Sequence, residues 1–290
     1  MFSTIAILGP GLLGASAGIA AHHAKLAGRI VAWARKPEVR LLCEESDWCD
    51  TVYSEARDAV AEADLVLICT PVHTILPVYE SIVPGLKTGA IVTDVGSTKS
   101  LIVRDARRHT PETTFFIGSH PMAGSEQSGF SAGRGDLFQD RACLVTPLND
   151  TPAAPLDRVV RFWTRLGMHV HSVSPEDHDE IVANISHLPH ILASVLCSYL
   201  DTRPHTWRDF AGGGLRDTTR VAAGDPGLWK EIIEQNSEEI LRTLRGFQDE
   251  LHALESALNN KQTASVFSIL TRGQKYRARL NPHTPDHDSA

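Results

Sequence analysis

The sequence lacks an excess of basic residues. Its 290 residues include 28 lysines and arginines against 35 acidic residues, which gives a formal net charge of −7. Proteins that bind nucleic acid or an anionic membrane surface usually carry a basic patch, so we predict neither partner. An anionic substrate would need a locally basic pocket, because the overall field of the protein opposes it.

Cysteine is scarce, and the N-terminal segment has no features of a targeting signal. The five cysteines are odd in number and show no Cys-x-x-Cys spacing, which is typical of reduced thiols in a cytosolic protein. The apolar stretch at residues 5–21 has no preceding Lys or Arg and is interrupted by Gly9-Pro10-Gly11. It is therefore unlike a signal peptide and too short to span a bilayer. We expect a cytoplasmic protein without a membrane segment.

The first part of the sequence alternates strand-like and helix-like segments, which predicts an α/β fold with a Rossmann-type doubly wound sheet over residues 1–174. Helical periodicity is found at residues 12–27 and 52–62. A further helix–strand unit at residues 156–173 is expected to extend the same sheet. The other predicted strands are residues 4–8, 29–34, 65–69, 90–94, 115–118 and 142–146.

The pattern changes after residue 174, where residues 175–280 predict an all-α C-terminal domain for dimerisation and substrate binding. Ser174-Pro175-Glu176-Asp177 is a typical helix start. Apolar residues spaced by three, four and seven over residues 226–260 predict one helix of about 35 residues, roughly 50 Å long. We expect it to pack against a second subunit, although an intramolecular bundle is the alternative. Residues 281–290 are predicted to be a disordered tail.

The string Gly9-Pro10-Gly11-Leu12-Leu13-Gly14 is a G-x-G-x-x-G motif that follows the first predicted strand and opens the first helix. In that context it predicts a dinucleotide site. The first glycine allows the tight turn, the second lets the pyrophosphate approach, and the third allows close packing of helix on strand. The expected cofactor contacts are Gly9, Gly11, Leu12, Leu13, Gly14, Arg35, Lys36, Thr70 and Pro71.

The residues after the second predicted strand indicate which dinucleotide is bound. An enzyme that uses NAD places Asp or Glu about 20 residues beyond the motif, but here that position is Ala34. Ala34 leaves room for a 2′-phosphate, and Arg35 can bind it bidentately. We therefore predict NADP as the preferred cofactor over NAD, although Arg35 and Lys36 could equally be solvated turn residues.

The most distinctive segment runs from Gly118 to Gly129, as Gly-Ser-His-Pro-Met-Ala-Gly-Ser-Glu-Gln-Ser-Gly. It follows a predicted strand, so we expect it to be the loop at the carboxyl end, where open α/β sheets bind ligands. Three more motifs accompany it: Asp94-Val95-Gly96-Ser97-Thr98-Lys99, Ser186-His187-Leu188-Pro189-His190 and Gly213-Gly214-Leu215-Arg216-Asp217-Thr218-Thr219-Arg220. Asp94 and Lys99 alone could be a helix cap and a surface charge. Together with the glycine motif, the set resembles the prephenate and arogenate dehydrogenase family over residues 4–260.

The resemblance implies an enzyme that oxidises and decarboxylates prephenate to 4-hydroxyphenylpyruvate in tyrosine biosynthesis, and that forms a homodimer. It implies that His120 is the catalytic base, supported by Ser97. A neutral imidazole is apt, because histidine titrates near ~6.5 and can accept the substrate's hydroxyl proton. The implied substrate-binding residues are His190, Arg220, Glu126, Ser125, His187 and Asp217.

Arg220 suits a substrate carboxylate, because its planar fork can bind bidentately, and Asp217 lies three residues before it. No third ligand accompanies His187 and His190 at a suitable spacing, so we predict no metal. The remaining histidines considered, taken as surface or packing residues, are His22, His23, His109, His169, His171 and His178.

Three alternatives stay open from the sequence. The first is arogenate dehydrogenase: the NADP-like turn leans towards arogenate, whereas Ser125-Glu126 leans towards prephenate. The second is a reductase of β-hydroxyacids or cyclic imines, which would not need the His120 segment. The third is a non-catalytic NADP-binding sensor, which would tolerate loss of His120.

Overall fold

The computed structural model describes residues 2–124 and 127–280. By compactness the chain forms two units, one up to Ile240 and one from Leu241 onwards. The predicted roles of Ser125 and Glu126 and the predicted disordered tail at 281–290 lie outside the described residues. The predicted change of character at residue 174 coincides with the end of the last strand, whereas compactness groups the helices up to Ile240 with the sheets.

The centre of the first unit is a six-stranded sheet in the order β3-β2-β1-β4-β5-β6, and each pair of neighbouring strands is parallel. This confirms the predicted Rossmann-type sheet. Its central strand β4 is buried along its whole length, as expected for a sheet covered on both faces. The strands are β1 (Phe2–Leu8), β2 (Ala27–Trp33), β3 (Thr51–Tyr53), β4 (Leu65–Ile68), β5 (Ile91–Asp94) and β6 (Phe115–Phe116). The helices are α1 (Leu12–His23), α2 (Pro37–Glu44), α3 (Ala56–Val60), α4 (Val72–Ile82) and α5 (Ser100–His109).

One predicted helix in this region is wrong in its first part. The predicted helix at residues 52–62 begins as strand β3, and the helix itself covers only α3. Val52 pairs with Ala32 in the sheet, so sheet pairing overrides the helical periodicity at this position.

A second sheet of three strands, in the order β7-β8-β9, stands beside the first. It consists of β7 (Gly118–Pro121), β8 (Ala142–Thr146) and β9 (His169–Ser172), with α6 (Ala153–Arg165) as the crossover between β8 and β9. The prediction that residues 156–173 extend the first sheet is therefore wrong, and so is the prediction that His120 lies in a loop.

The chain changes sheets at Ile117. The Ile117 amide still donates to Val92 O of the first sheet, at 2.9 Å. Strand β7 then pairs antiparallel with β8. A side chain at Gly118 would lie 2.5 Å from Thr146 Oγ1, so only glycine allows the two strands to approach. The switch puts His120 inside a paired strand instead of a loop.

The helical part of the first unit begins at α7 (Pro175–Val182), where Ser174 Oγ accepts a hydrogen bond from the Asp177 amide. This confirms the predicted helix start. A π-helical turn (Ala183–His187) leads into α8 (Leu188–Asp201). Then follow α9 (Gly213–Thr219), a 3₁₀ turn (Arg220–Ala223) and α10 (Pro226–Gln235).

The single helix predicted at residues 226–260 is wrong, because the chain forms two helices. Helix α10 ends at Gln235, and α11 (Ser237–Asn259) begins two residues later. Asn236 separates them with φ −119° and ψ 30°, and its side chain is hydrogen-bonded to residues outside both helices. In the second unit, α11 is followed by α12 (Thr263–Arg279), and Arg272 pairs with Glu250 at 2.7 Å.

The helices carry many exposed apolar side chains. The continuous helical stretch Pro175–Asp201 is long and apolar enough to cross a bilayer, with a mean hydropathy of 1.4 in a window that is 28% buried. That stretch also holds the buried polar side chains of His178, Asp179, His187 and His190. The large apolar side chains that are exposed include Ile185, Val195, Tyr199, Trp207, Phe210, Leu228, Leu251, Leu258, Phe267 and Leu270.

Candidate active site

The three glycines of the first turn have three different surroundings. Gly9 has φ +87°, and a Cβ there would lie 2.8 Å from Thr70 Cγ2. At Gly14 a Cβ would lie 2.6 Å from Gly9 O, so helix α1 could not pack as closely on β1. Gly11, which caps α1, has no atom within 4 Å of its Cβ position and leaves its backbone open to a ligand. These are the three roles that the motif predicts.

A cavity of about 390 Å³ opens in front of this turn. It fits a dinucleotide, because the N-terminus of α1 supplies amide donors and a positive dipole end for phosphates. Thr70 Oγ1 is buried and has no hydrogen-bond partner among the described residues, so it is poised for a ligand. Leu12 and Leu13 pack against the core behind the cavity. The predicted cofactor residues that line it are Gly9, Gly11, Arg35, Lys36, Thr70 and Pro71.

The turn after β2 contains the residues that are expected to contact the ribose of the dinucleotide. Ala34 is buried, whereas Arg35 and Lys36 are exposed. Arg40 Nη1 donates to both Ala34 O and Arg35 O at 2.9 Å, and these two hydrogen bonds fix the backbone of the turn. Arg35 also borders a second cavity of about 750 Å³, together with Arg40 and Arg57. The turn is therefore basic and carries no acidic residue at position 34.

His120 is the first member of a buried chain of side chains. His120 Nδ1 lies 2.9 Å from His178 Nε2, and His178 Nδ1 lies 2.8 Å from Asp179 Oδ1. The carboxylate can only accept, so a neutral His178 donates from Nδ1 and accepts at Nε2. His120 must then donate from Nδ1, which leaves the lone pair of its Nε2 available. The hydrogen bonds from His120 through His178 to Asp179 thus fix His120 in the tautomer that a general base requires.

Asp179 is anchored at the N-terminus of α5. Its two carboxylate oxygens accept from the amides of Lys99 and Ser100, at 2.8 and 2.9 Å. Burial opposes ionisation, but the hydrogen bonds from His178 and Ser100 outweigh it and lower the pKa of Asp179. Asp179 therefore stays a carboxylate behind the two histidines.

The pKa of His120 lies well below its ordinary value of 6.5. Burial is the largest cause, and electrostatic interaction with His178, with the Lys99 ammonium and with His187 acts in the same direction. His120 is therefore neutral at physiological pH.

Asp94 and Lys99 form an ion pair of 2.6 Å, and both side chains are 0% exposed. The alternative in which Lys99 is a surface charge is therefore wrong. The Asp94 carboxylate also accepts from the amides of Gly96 and Ser119, at 2.8 and 3.2 Å. The Ser119 hydroxyl in turn donates to Asp94 O at 2.6 Å and accepts from Trp163 Nε1 at 3.0 Å. This network fixes the strand of His120 against the loop of Ser97.

Ser97 lies half-buried in that loop. In the described part of the chain no hydrogen bond joins Ser97 to His120, and His178 makes the contact that fixes the tautomer. A catalytic role for Ser97 stays a prediction.

The other two predicted histidines lie beside helix α10. His190 stacks on Trp229, with 3.5 Å between ring centroids and 9° between planes. A Cβ at Gly224 would lie 3.2 Å from His190 Cε1, so His190 lies against the turn that follows Arg220. His187 Nδ1 lies 3.2 Å from Asn236 Nδ2, and burial lowers the pKa of His187 to about 4. Both rings are therefore positioned by α10.

Arg220 and Asp217 are exposed. Among the described residues no ion pair joins them, because α9 ends at Thr219 and the chain tightens into a 3₁₀ turn at Arg220. The predicted orientation of Arg220 by Asp217 is therefore not observed.

The sequence reasoning missed four side chains of the site: His178, Asp179, Trp229 and Asn236. His178 was expected to be a surface or packing residue, and that expectation is wrong, because it is 0% exposed and bonded to His120. Its only sequence signal is an His-Asp pair one turn into a capped helix, which many surface helices share. In the described ranges no three His, Cys, Asp or Glu side chains are grouped to hold a metal.

Comparisons with known proteins show the family of the chain. A family model described as "Prephenate dehydrogenase, nucleotide-binding domain" matches residues 23–172, and "Prephenate dehydrogenase, dimerization domain" matches residues 174–272. The cyclohexadienyl dehydrogenase of Zymomonas mobilis is 33% identical over 99% of this chain and 98% of its own.

Two solved structures are similar along nearly the whole chain. Prephenate dehydrogenase from A. aeolicus, in complex with hydroxyphenyl propionate and NAD⁺, has a TM-score of 0.90 and 27% identity, over 97% of this chain and 99% of that one. Synechocystis arogenate dehydrogenase has a TM-score of 0.85 and 27% identity, over 95% and 99%.

Proposed function

Because the chain belongs to the prephenate dehydrogenase family, we propose that it converts prephenate to 4-hydroxyphenylpyruvate by oxidative decarboxylation in tyrosine biosynthesis. The family makes it an NAD(P)-dependent dehydrogenase. The single observation that carries the proposal is the buried chain from His120 through His178 to Asp179. It supplies a neutral imidazole in one tautomer, as oxidation of an alcohol requires.

Prephenate is a cyclohexadienol with a ring carboxylate and a pyruvyl side chain. His120 Nε2 accepts the proton of the ring hydroxyl as the C–O bond gains double-bond character. NAD(P)⁺, held at the turn of Gly9, Gly11 and Gly14, would accept the hydride from the carbinol carbon. The bond between the ring and its carboxylate then breaks, carbon dioxide leaves, and the electron pair completes the aromatic ring. Aromatisation makes the sequence effectively irreversible.

The residues behind His120 stabilise the proton that it gains. His120 becomes an imidazolium that still donates from Nδ1 to His178, and the negative charge of Asp179 stabilises the pair. The same physical arrangement orients the histidine of hydrolase triads. Since Asp179 is held by two amides, it needs no reorganisation during the reaction.

Substrate binding is assigned to Arg220 and His190. The two substrate carboxylates require cations, and Arg220 is an exposed guanidinium that can bind one of them bidentately. His190 lies against the turn that follows Arg220. The exposed apolar faces of the helices and the match to a dimerization domain support a homodimer. A cytoplasmic location and the absence of membrane and nucleic-acid partners remain predictions.

NADP is the proposed preferred cofactor. Ala34, exposed Arg35 and the bracing of their carbonyls by Arg40 support it, while the A. aeolicus relative was solved with NAD⁺. Measurement of kcat/KM with both cofactors tests the preference, and a tenfold advantage for NAD would contradict it.

Arogenate is the second candidate substrate. The NADP-like turn at Ala34 and Arg35 favours it, and the Synechocystis relative is an arogenate dehydrogenase. Values of kcat/KM for prephenate and arogenate, each with both cofactors, decide between the two. Turnover of neither substrate would contradict the proposed function and favour a reductase of β-hydroxyacids or cyclic imines.

A further inference from the structure

Asn236 lies at the junction of helices α10 and α11, inside the candidate site. It is only 4% exposed. Its Nδ2 lies 2.8 Å from Asp179 O and 3.2 Å from His187 Nδ1. The helix is interrupted at Asn236, although the apolar periodicity of the sequence continues through this position. The interruption therefore coincides with two hydrogen bonds to residues of the site.

The hydrogen-bond chemistry determines how the Asn236 amide is oriented. Asp179 O is a backbone carbonyl and can only accept, so the nitrogen of the amide must face it. The second hydrogen of the same nitrogen faces His187 Nδ1, which must then be unprotonated. The proton of a neutral His187 is consequently on Nε2. The low pKa of His187, about 4, agrees with a neutral ring.

The same helix end makes a second contact with the site. Thr98 Oγ1 donates to Gln235 Oε1 at 2.6 Å, and Thr98 is the neighbour of Ser97. Trp229, two turns earlier on α10, has its ring 6.1 Å from that of His187, edge to face. The end of α10 thus contacts the Ser97 loop, the His178–Asp179 segment and His187.

We propose that Asn236 is a positioning residue. It fixes His187 in its Nε2–H tautomer and holds the His187 ring in place relative to the His178–Asp179 segment behind His120. The family resemblance assigns His187 to substrate binding, and in this tautomer the residue presents one neutral hydrogen-bond donor to the anionic substrate. This inference rests on the proposed function for the identity of the substrate, but the tautomer itself can be measured without any substrate.

The first experiment is a long-range ¹H–¹⁵N NMR spectrum of the substrate-free protein, with His187 assigned through His187→Gln. We expect an unprotonated Nδ1 and a protonated Nε2 at pH 7. A protonated Nδ1 in the wild-type protein overturns the proposal, and this result does not depend on any variant folding or on any activity.

The second experiment compares Asn236→Asp with a matched control. A carboxylate at position 236 can only accept, so it demands a proton on His187 Nδ1. At a pH above the pKa of His187, which the carboxylate raises, we expect the spectrum to show a proton on Nδ1 alone. We expect KM for prephenate at that pH to rise about tenfold, the effect of one hydrogen bond, with kcat changed less than threefold. The control is Asn184→Asp, because exposed Asn184 also donates from Nδ2 to a backbone carbonyl, that of Glu180, at 2.9 Å. It should leave both measurements unchanged.

The outcomes separate the inference from the function. An altered tautomer with an unchanged KM overturns His187 as a substrate donor, and an unaltered tautomer in Asn236→Asp overturns Asn236 as the residue that fixes it. If the wild-type protein turns over neither prephenate nor arogenate, the proposed function fails while the spectrum still decides the tautomer.

Discussion

The candidate site has a proton-transfer side and a side that anchors the substrate carboxylates. The two differ in how fully their residues are buried and held by contacts within the chain. On the proton-transfer side, His120, His178 and Asp179 are buried and joined by hydrogen bonds of 2.8–2.9 Å. On the anchoring side, Arg220 and Asp217 are exposed and no ion pair joins them in the described ranges. Sequence motifs marked His120 on the first side and Arg220 on the second.

The difference follows from what each side must do. A general base needs one tautomer and a neutral resting state, and burial provides both before the substrate arrives. A cation for a carboxylate cannot be prepared in this way, because an unpaired buried guanidinium would lose its hydration without compensation. The anchoring side must therefore stay hydrated until substrate binds. Variants on the two sides should accordingly change different kinetic constants.

The largest expected effect is on the proton-transfer side. His120→Asn removes the base, so we expect kcat to fall by about 10²–10⁴ with little change in KM. Steady-state kinetics measure this, with exposed His171→Asn as the control. An unchanged kcat would remove His120 from the mechanism and with it the comparison between the two sides.

The next effect concerns the residue behind the histidines. Asp179→Asn keeps the size of the side chain but removes the charge that holds His178 and His120. Loss of a hydrogen bond to a charged group is worth about 1.5–3 kcal/mol, so kcat should fall roughly 10- to 150-fold. Exposed Asp177→Asn is the matched control. A rise in KM without a fall in kcat would place Asp179 on the anchoring side instead.

The anchoring side should respond in KM. Arg220→Lys keeps the charge but loses the fork that binds a carboxylate at two points. We expect KM for prephenate to rise about tenfold with kcat nearly unchanged. Arg216→Lys, exposed on helix α9 just before Arg220, should leave KM unaltered. Equal losses in kcat and kcat/KM for Arg220→Lys would contradict the division of roles.

The comparison also explains what the sequence could and could not predict. Gly9, Gly11 and Gly14 were predictable because each answers a local backbone requirement within one turn. The change of sheet at Ile117 was not, because it depends on β8, which is 25 residues further along the chain. Local patterns report local geometry, so pairings of distant segments escape them.

The roles of His178 and Asn236 in the site were not predicted, for the same reason. His178 reaches His120 across 58 positions, and Asn236 reaches Asp179 across 57. Neither interrupts the local helical periodicity, so each resembles an ordinary helix residue. Arg220, by contrast, was found by its motif.

The smallest expected effect is on the pH dependence of kcat/KM. His120 must be neutral to accept a proton, so activity is lost as the pH falls through its pKa in the folded protein. An ordinary histidine, with a pKa of about 6.5, would have lost half of its neutral form at pH 6.5. Burial, the nearby Lys99 ammonium and the two neighbouring histidines, His178 and His187, hold the pKa of His120 well below that value. Between pH 8 and 6.5, kcat/KM should therefore decrease by less than twofold, with the acid limb at lower pH. Profiles of kcat/KM at constant ionic strength measure this, and a midpoint at or above pH 6.5 would show that the proton-transfer side is as hydrated as the anchoring side.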